Sequence, residues 1–185
     1  PSFLPDIPAV RAELAQYYQS IARLDRGVGR LIRILKEEKR YDRTVFVYIS
    51  DNGAAFPQAK TTLYDPGMRL PCLVRAPDMP RRGVATDAPV SWADITPTLL
   101  DYAGARVDFA SFHGRSFRSI VQGETDGSER EGVFASHTFH EVTNYYPMRV
   151  WRTRRYKFIW NIAWKLDYSF ASDLWAAASW QAALR

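Results

Sequence analysis

Chemistry in this sequence is most plausible directly after the apolar run Thr44-Val45-Phe46-Val47-Tyr48-Ile49-Ser50, where Asp51, Asn52 and Gly53 follow one another. A carboxylate next to a side-chain amide sets two hard oxygen donors side by side, a pair suited to calcium or magnesium rather than to zinc. Asp51 is also the first residue to emerge past a strand, and open α/β sheets bind ligands outside the carboxyl ends of their strands. Asp-Asn-Gly is equally a favoured turn tripeptide, so on its own it leaves both readings open. The single cysteine, Cys72, can form no internal disulfide. It lies in Pro71-Cys72-Leu73-Val74-Arg75, within an apolar run, and reads as a small buried thiol. Of the three histidines, His113 reads as a loop residue at a subdomain junction, and His140 beside Glu141 as a structural pair. His137 has no assigned role.

The elements that must position these residues follow from periodicity. Leu14, Tyr17, Ile21, Leu24, Val28, Leu31 and Leu35 recur at three- and four-residue steps after a Pro-rich lead-in, which predicts a surface helix over about 9–39 with one buried stripe. Gly27 and Gly29 each cost such a helix about 1 kcal/mol relative to Ala, and close packing against a neighbour would account for them. The run over 44–50, apolar on both faces, fits a central strand of a parallel sheet covered by helices. A second strand is expected over 70–74 and a helix from 92 or 94 to 102, ended by Gly104. Past Gly123 the runs 133–136, 148–152 and 156–160 are short and aromatic and read as antiparallel strands. This predicts an α/β domain over residues 1–122 and a smaller subdomain over 123–185.

Composition bounds the rest. With 185 residues, 46% hydrophobic and 24% charged, the chain has ordinary globular makeup. Twenty-five Lys plus Arg against twenty Asp plus Glu leave +5, which permits a polyanionic partner but gives no nucleic-acid signature. No apolar stretch approaches the roughly 18 residues of a membrane span. The basic cluster Arg149, Arg152, Arg154, Arg155 and Lys157 reads as a solvated strand face, to which a polyanion would be attracted. The tryptophans Trp151, Trp160, Trp164, Trp175 and Trp180 read as core and interface residues ahead of sugar-stacking platforms. The opening at Pro1 and the break after Trp175–Ala182 suggest a piece of a longer protein.

Lys60-Thr61-Thr62-Leu63-Tyr64-Asp65-Pro66-Gly67-Met68-Arg69-Leu70-Pro71 leads from a long loop into the second strand. Together with Asp51-Asn52-Gly53 it resembles the sulfatase family of the alkaline phosphatase superfamily. The resemblance covers essentially the whole chain, through Tyr17-Tyr18, Leu24-Asp25 and Val28-Gly29, then Asp94-Ile95-Thr96-Pro97-Thr98-Leu99-Leu100 and His113-Gly114-Arg115-Ser116-Phe117. Phe56-Pro57, His140-Glu141-Val142-Thr143 and Tyr146-Pro147-Met148-Arg149 resemble family members acting on N-sulfated glycosaminoglycan. A departure is Lys60, where those members carry Arg; Lys binds a sulfate oxygen as a point charge rather than a bidentate fork.

The resemblance implies part of an alkaline-phosphatase-like sheet covered by helices, joined to a smaller C-terminal antiparallel α+β subdomain. It implies Asp51 and Asn52 as metal ligands, calcium ahead of magnesium, and Lys60 as the catalytic contact to a sulfate oxygen. His140 and Glu141 become substrate contacts, and Gly53, Gly67 and Arg69 shape the loop. The nucleophile would be a formylglycine made from the Cys of a Cys-x-Pro-x-Arg motif, which these 185 residues do not contain. The chain alone is therefore expected to be inactive. The implied substrate is a sulfated saccharide bearing O- or N-sulfate, and the implied location is periplasmic, secreted or lysosomal. Two other readings stand beside this one: a phosphatase or phosphodiesterase of the same superfamily, and a non-catalytic polyanion-binding module.

Overall fold

Helix α1 spans Pro8–Glu37, with a proline in its first turn as the lead-in suggested. In the computed structural model, which describes residues 1–141 and 144–184, its apolar stripe does not behave as a buried one. Val10 is its only buried residue. Tyr17, Ile21, Leu24 and Leu31 range from 39% to 55% exposed, and nothing lies within 4 Å of where a Cβ would stand at Gly27 or Gly29. Periodicity dictates which residues share a helical face; it does not supply the surface that covers that face.

Strands β1 (Phe46–Ile49) and β2 (Cys72–Arg75) pair antiparallel, from Phe46 opposite Arg75 to Ile49 opposite Cys72. This corrects the expectation of a buried parallel strand. Among the described residues the sheet has two strands, and all four residues of β1 are only half-buried. The long connection between them carries the short helix α2 (Asp65–Met68).

After β2 a single 3-10 turn, Trp92–Asp94, feeds helix α3 (Ile95–Tyr102). Ser91 and Asp94 form a capping box: Ser91 Oγ accepts from the Ala93 amide, and the Asp94 carboxylate accepts from the Ser91 amide. Gly104 takes a left-handed φ of 64° just past the helix end. Helix α4 (Arg118–Gln122) closes on Gly123 at φ 73°. Asp94 is then used a second time. Buried to 5% exposure, it holds the equally buried Arg130 at 2.8 Å and accepts from the Arg115 amide, while Arg130 donates to the carbonyls of Arg115 and Ser116. One ion pair thus ties the start of α3 to the segment entering the next sheet.

That sheet is antiparallel, in the order β3 (Gly132–His140), β4 (Asn144–Thr153) and β5 (Lys157–Asn161), with an irregularity between His137 and Phe139. Its strands are longer than their aromatic cores indicated, so His137 and His140 both lie within β3. Leu63, Met148 and Val150 form the buried cluster, joined by Met68, Ala135, Tyr146, Ile159 and Tyr168. The loop carrying Lys60 is thereby packed onto the second sheet. Helices α5 (Ser172–Ala176) and α6 (Ala178–Ala183) finish the chain, and the α6 amide of Ala178 donates to Glu13 of α1 at 2.7 Å. Trp160, Trp164 and Trp175 are more than half exposed rather than core residues, and His113 is an exposed loop residue. The basic cluster is not a uniformly solvated face either, because Arg152 and Lys157 both pair with Asp65.

Candidate functional site

The end of β1 is pinned before the chemistry begins. Trp92 Nε1 donates to the Ser50 carbonyl at 2.8 Å, holding the strand end against the turn before α3. Next, Ser50 Oγ donates to the Asn52 carbonyl at 2.9 Å, the Asn52 amide donates to Asp51 Oδ1 at 3.0 Å, and Asn52 Nδ2 donates to the Gly53 carbonyl at 2.8 Å. These bonds use one oxygen of Asp51 and the nitrogen of the Asn52 amide. Asp51 Oδ2 and Asn52 Oδ1 have no partner among the described residues, and both side chains are exposed. Two free hard oxygens are a donor set that fits calcium or magnesium; six to eight ligands are usual for calcium, so further ligands must come from elsewhere.

The glycines explain how the loop closes. A Cβ on Gly53 would stand 2.4 Å from the Pro66 carbonyl oxygen, and one on Gly67 would stand 2.3 Å from the Thr62 carbonyl oxygen. The Lys60 amide donates to the Ala54 carbonyl at 3.1 Å, returning the loop to within two residues of Asn52. Thr61, at φ 64°, occupies a left-handed conformation that a β-branched residue rarely adopts. The Tyr168 hydroxyl, donating to the Thr61 carbonyl at 2.7 Å, fastens that residue to the second sheet. Such strain persists only where surroundings hold it, and it concentrates at functional sites.

The expected site residues fall into two groups. Asp51 and Asn52 line an open cleft of about 730 Å³ together with Arg69, Ser91, His137 and Arg152. Lys60 does not line it. Its Nζ, on a side chain only 15% exposed, donates to Asp173 Oδ2 at 2.6 Å. Lys60 holds the Asp173 carboxyl below the usual carboxylate range. Around Asp173 stand His140 and Glu141, with ligand atoms of all three within 4.8 Å of one another. Glu141 accepts from the Ser172 hydroxyl at 2.7 Å and from its amide at 3.2 Å, which lowers its own carboxyl pKa. It too sits at a left-handed φ, 62°. Lys60 and Ser172 already engage these carboxylates, so the trio is no ready cation site. Val142 and Thr143, which complete the His-Glu-Val-Thr block, lie outside the described residues.

Two features escaped the sequence reading. Asp173 is 113 positions from its partner Lys60, and no local pattern marks such a pair. The ring of His137 faces the Tyr146 carbonyl through Nδ1 at 3.2 Å. A carbonyl can only accept, so Nδ1 carries the hydrogen and the neutral ring's lone pair is on Nε2, which is buried without a partner among the described residues. Cys72 is half-buried rather than buried, and burial pushes its thiol pKa up. That is the opposite of what an activated nucleophile needs.

Comparisons with known proteins agree with this architecture. The model of the Sulfatase family matches residues 3–105, and the model described as N-sulphoglucosamine sulphohydrolase, C-terminal, matches residues 57–173. The chain is 34% identical over 187 residues to human N-sulphoglucosamine sulphohydrolase, covering 98% of the chain and 37% of that protein. Among solved structures, phosphonate monoester hydrolase from Silicibacter pomeroyi aligns with TM-score 0.62 at 26% identity, covering 74% of this chain and 30% of that one. A structure of BT4656 in complex with its substrate D-glucosamine-2-N,6-O-disulfate aligns with TM-score 0.66 at 24% identity, covering 75% and 29%. The chain thus spans about a third of the length of the proteins it matches.

Proposed function

This chain belongs to the sulfatase family, and from that membership we propose that the protein carrying it hydrolyses O- or N-sulfate groups of a sulfated saccharide. The observation that carries the reading is the pair of free oxygens on Asp51 and Asn52 in the lining of an open cleft, with Lys60 outside that lining on the loop closed by Gly53 and Gly67. In the reaction the sulfur–oxygen or sulfur–nitrogen bond breaks, water supplies the oxygen that ends on sulfur, and the saccharide leaves as a hydroxyl or an amine. Asp51 and Asn52 would hold a divalent cation, calcium ahead of magnesium, which when bound supplies positive charge against the sulfate. Lys60 adds a second positive charge toward a sulfate oxygen. His140 and Glu141 would meet the saccharide ring. The nucleophile, a formylglycine, would come from residues outside these 185, and a periplasmic, secreted or lysosomal setting goes with it.

A second reading has its own support: similarity to a phosphonate monoester hydrolase keeps the fold and changes the group transferred. Two determinations test the sulfatase reading, and the second separates it from the phosphonate one. The coding sequence upstream should contain Cys-x-Pro-x-Arg or Ser-x-Pro-x-Arg. The purified complete protein should release inorganic sulfate from N- or O-sulfated glucosamine faster than it cleaves an aryl phosphonate. A lone Thr or Ser with zinc ligands upstream would support a phosphatase instead, and phosphonate turnover exceeding sulfate release would replace the sulfatase reading with the phosphonate one.

A further inference from the structure

We infer that Asp173 is a positioning residue for Lys60, an inference that rests on Lys60 being the sulfate contact. A lysine ammonium is a compact charge on a flexible four-carbon stem with three donors, so it stabilises an anion only where something holds it. Asp173 does so at 2.6 Å across 113 residues of sequence. The carboxylate is itself held. Its Oδ1 accepts from the Leu174 amide at 3.0 Å, Leu174 is 2% exposed, and the neighbouring Ser172 is bonded twice to Glu141. One Lys60 donor faces α5, and the other two have no partner among the described residues. The carboxylates of Asp173 and Glu141 repel an anion arriving from the α5 side, so a sulfate oxygen reaches Lys60 from the opposite side, where those two donors are free. The helix that trails the three-stranded sheet thereby aims a residue of the loop that follows β1.

The test uses the complete protein and kcat/KM for N-sulfated glucosamine, read from sulfate release. Asp173→Asn keeps the acceptor for Leu174 and removes the charge. It lowers kcat/KM by on the order of ten- to a hundredfold, the scale of a misplaced contact group, and Asp173→Glu recovers most of the loss. Lys60→Ala also loses activity, and adding Asp173→Asn to Lys60→Ala costs nothing further, because Asp173 acts only through Lys60. Losses that multiply in the double variant, or an Asp173→Asn protein that does not fold, show a structural role and overturn the inference. Wild-type kcat/KM in Asp173→Asn with loss in Lys60→Ala overturns the positioning role alone. Wild-type kcat/KM in both overturns the reading of Lys60 as well.

Discussion

Gly53 shows how much chemistry can depend on a missing side chain. The sequence presents it as the third residue of a turn tripeptide. The structure shows the backbone of Pro66 and Gly67 where its Cβ would be, so the loop that carries Lys60 closes only on glycine. Gly53→Ala should therefore cost roughly 1–3 kcal/mol of stability, the range for forcing atoms into a packed site, together with much of the sulfate release of the complete protein; thermal melting and turnover measured side by side check both. The oxygens of Asp51 and Asn52 were legible from residue type and from their place after an apolar run. The role of Gly67 was legible only through resemblance, and Asp173 was not legible at all, because a salt bridge across more than a hundred residues leaves no spacing to read. His137 carried no usable signal, lying just past the predicted strand over 133–136, and which nitrogen holds the proton depends on the Tyr146 carbonyl opposite.

Elements were read more reliably than their partners. Helix α1, the two strand runs flanking Lys60, helix α3 and the three late strands all occur where pattern put them, because period-2 and period-3.6 alternation are local properties. Strand direction is not local: β1 is apolar along its length, yet it pairs antiparallel with β2. The junctions between elements rest on ionic contacts that invite measurement. Arg130→Met leaves the buried Asp94 carboxylate without its partner, and breaking such a pair costs about 3–5 kcal/mol, readable as a lower urea midpoint. Asp65 offers a pH test. Its carboxyl is held below the ordinary range first by the hydrogen bond from Lys157, so the stability this provides is present above the ordinary carboxylate pKa and is lost as pH falls through the lowered one. Stability in acid should accordingly fall less steeply in Asp65→Asn than in the parent, and identical acid profiles would contradict the assignment.

For the whole molecule, the exposed stripe of α1 is the most consequential departure from expectation. Tyr17, Ile21, Leu24 and Leu31 form an apolar face of a kind that soluble monomers seldom leave open. The 185-residue chain by itself should bind a hydrophobic dye and should hydrolyse no sulfate ester or N-sulfate; turnover by the purified chain would contradict the placement of the nucleophile outside it. No described helix is long and apolar enough to cross a membrane. Both family models and the relatives agree on the sulfatase fold, and the expected site residues divide between the cleft of Asp51 and Asn52 and the cluster around Lys60. The most direct test of the sulfatase reading is sulfate release from N- or O-sulfated glucosamine by the complete protein, wild type against Asp51→Ala. The wild type should turn over and the variant should lose at least about a hundredfold in kcat, the scale of one lost electrostatic contact to a developing charge, with its melting temperature unchanged. Full activity in Asp51→Ala would contradict it.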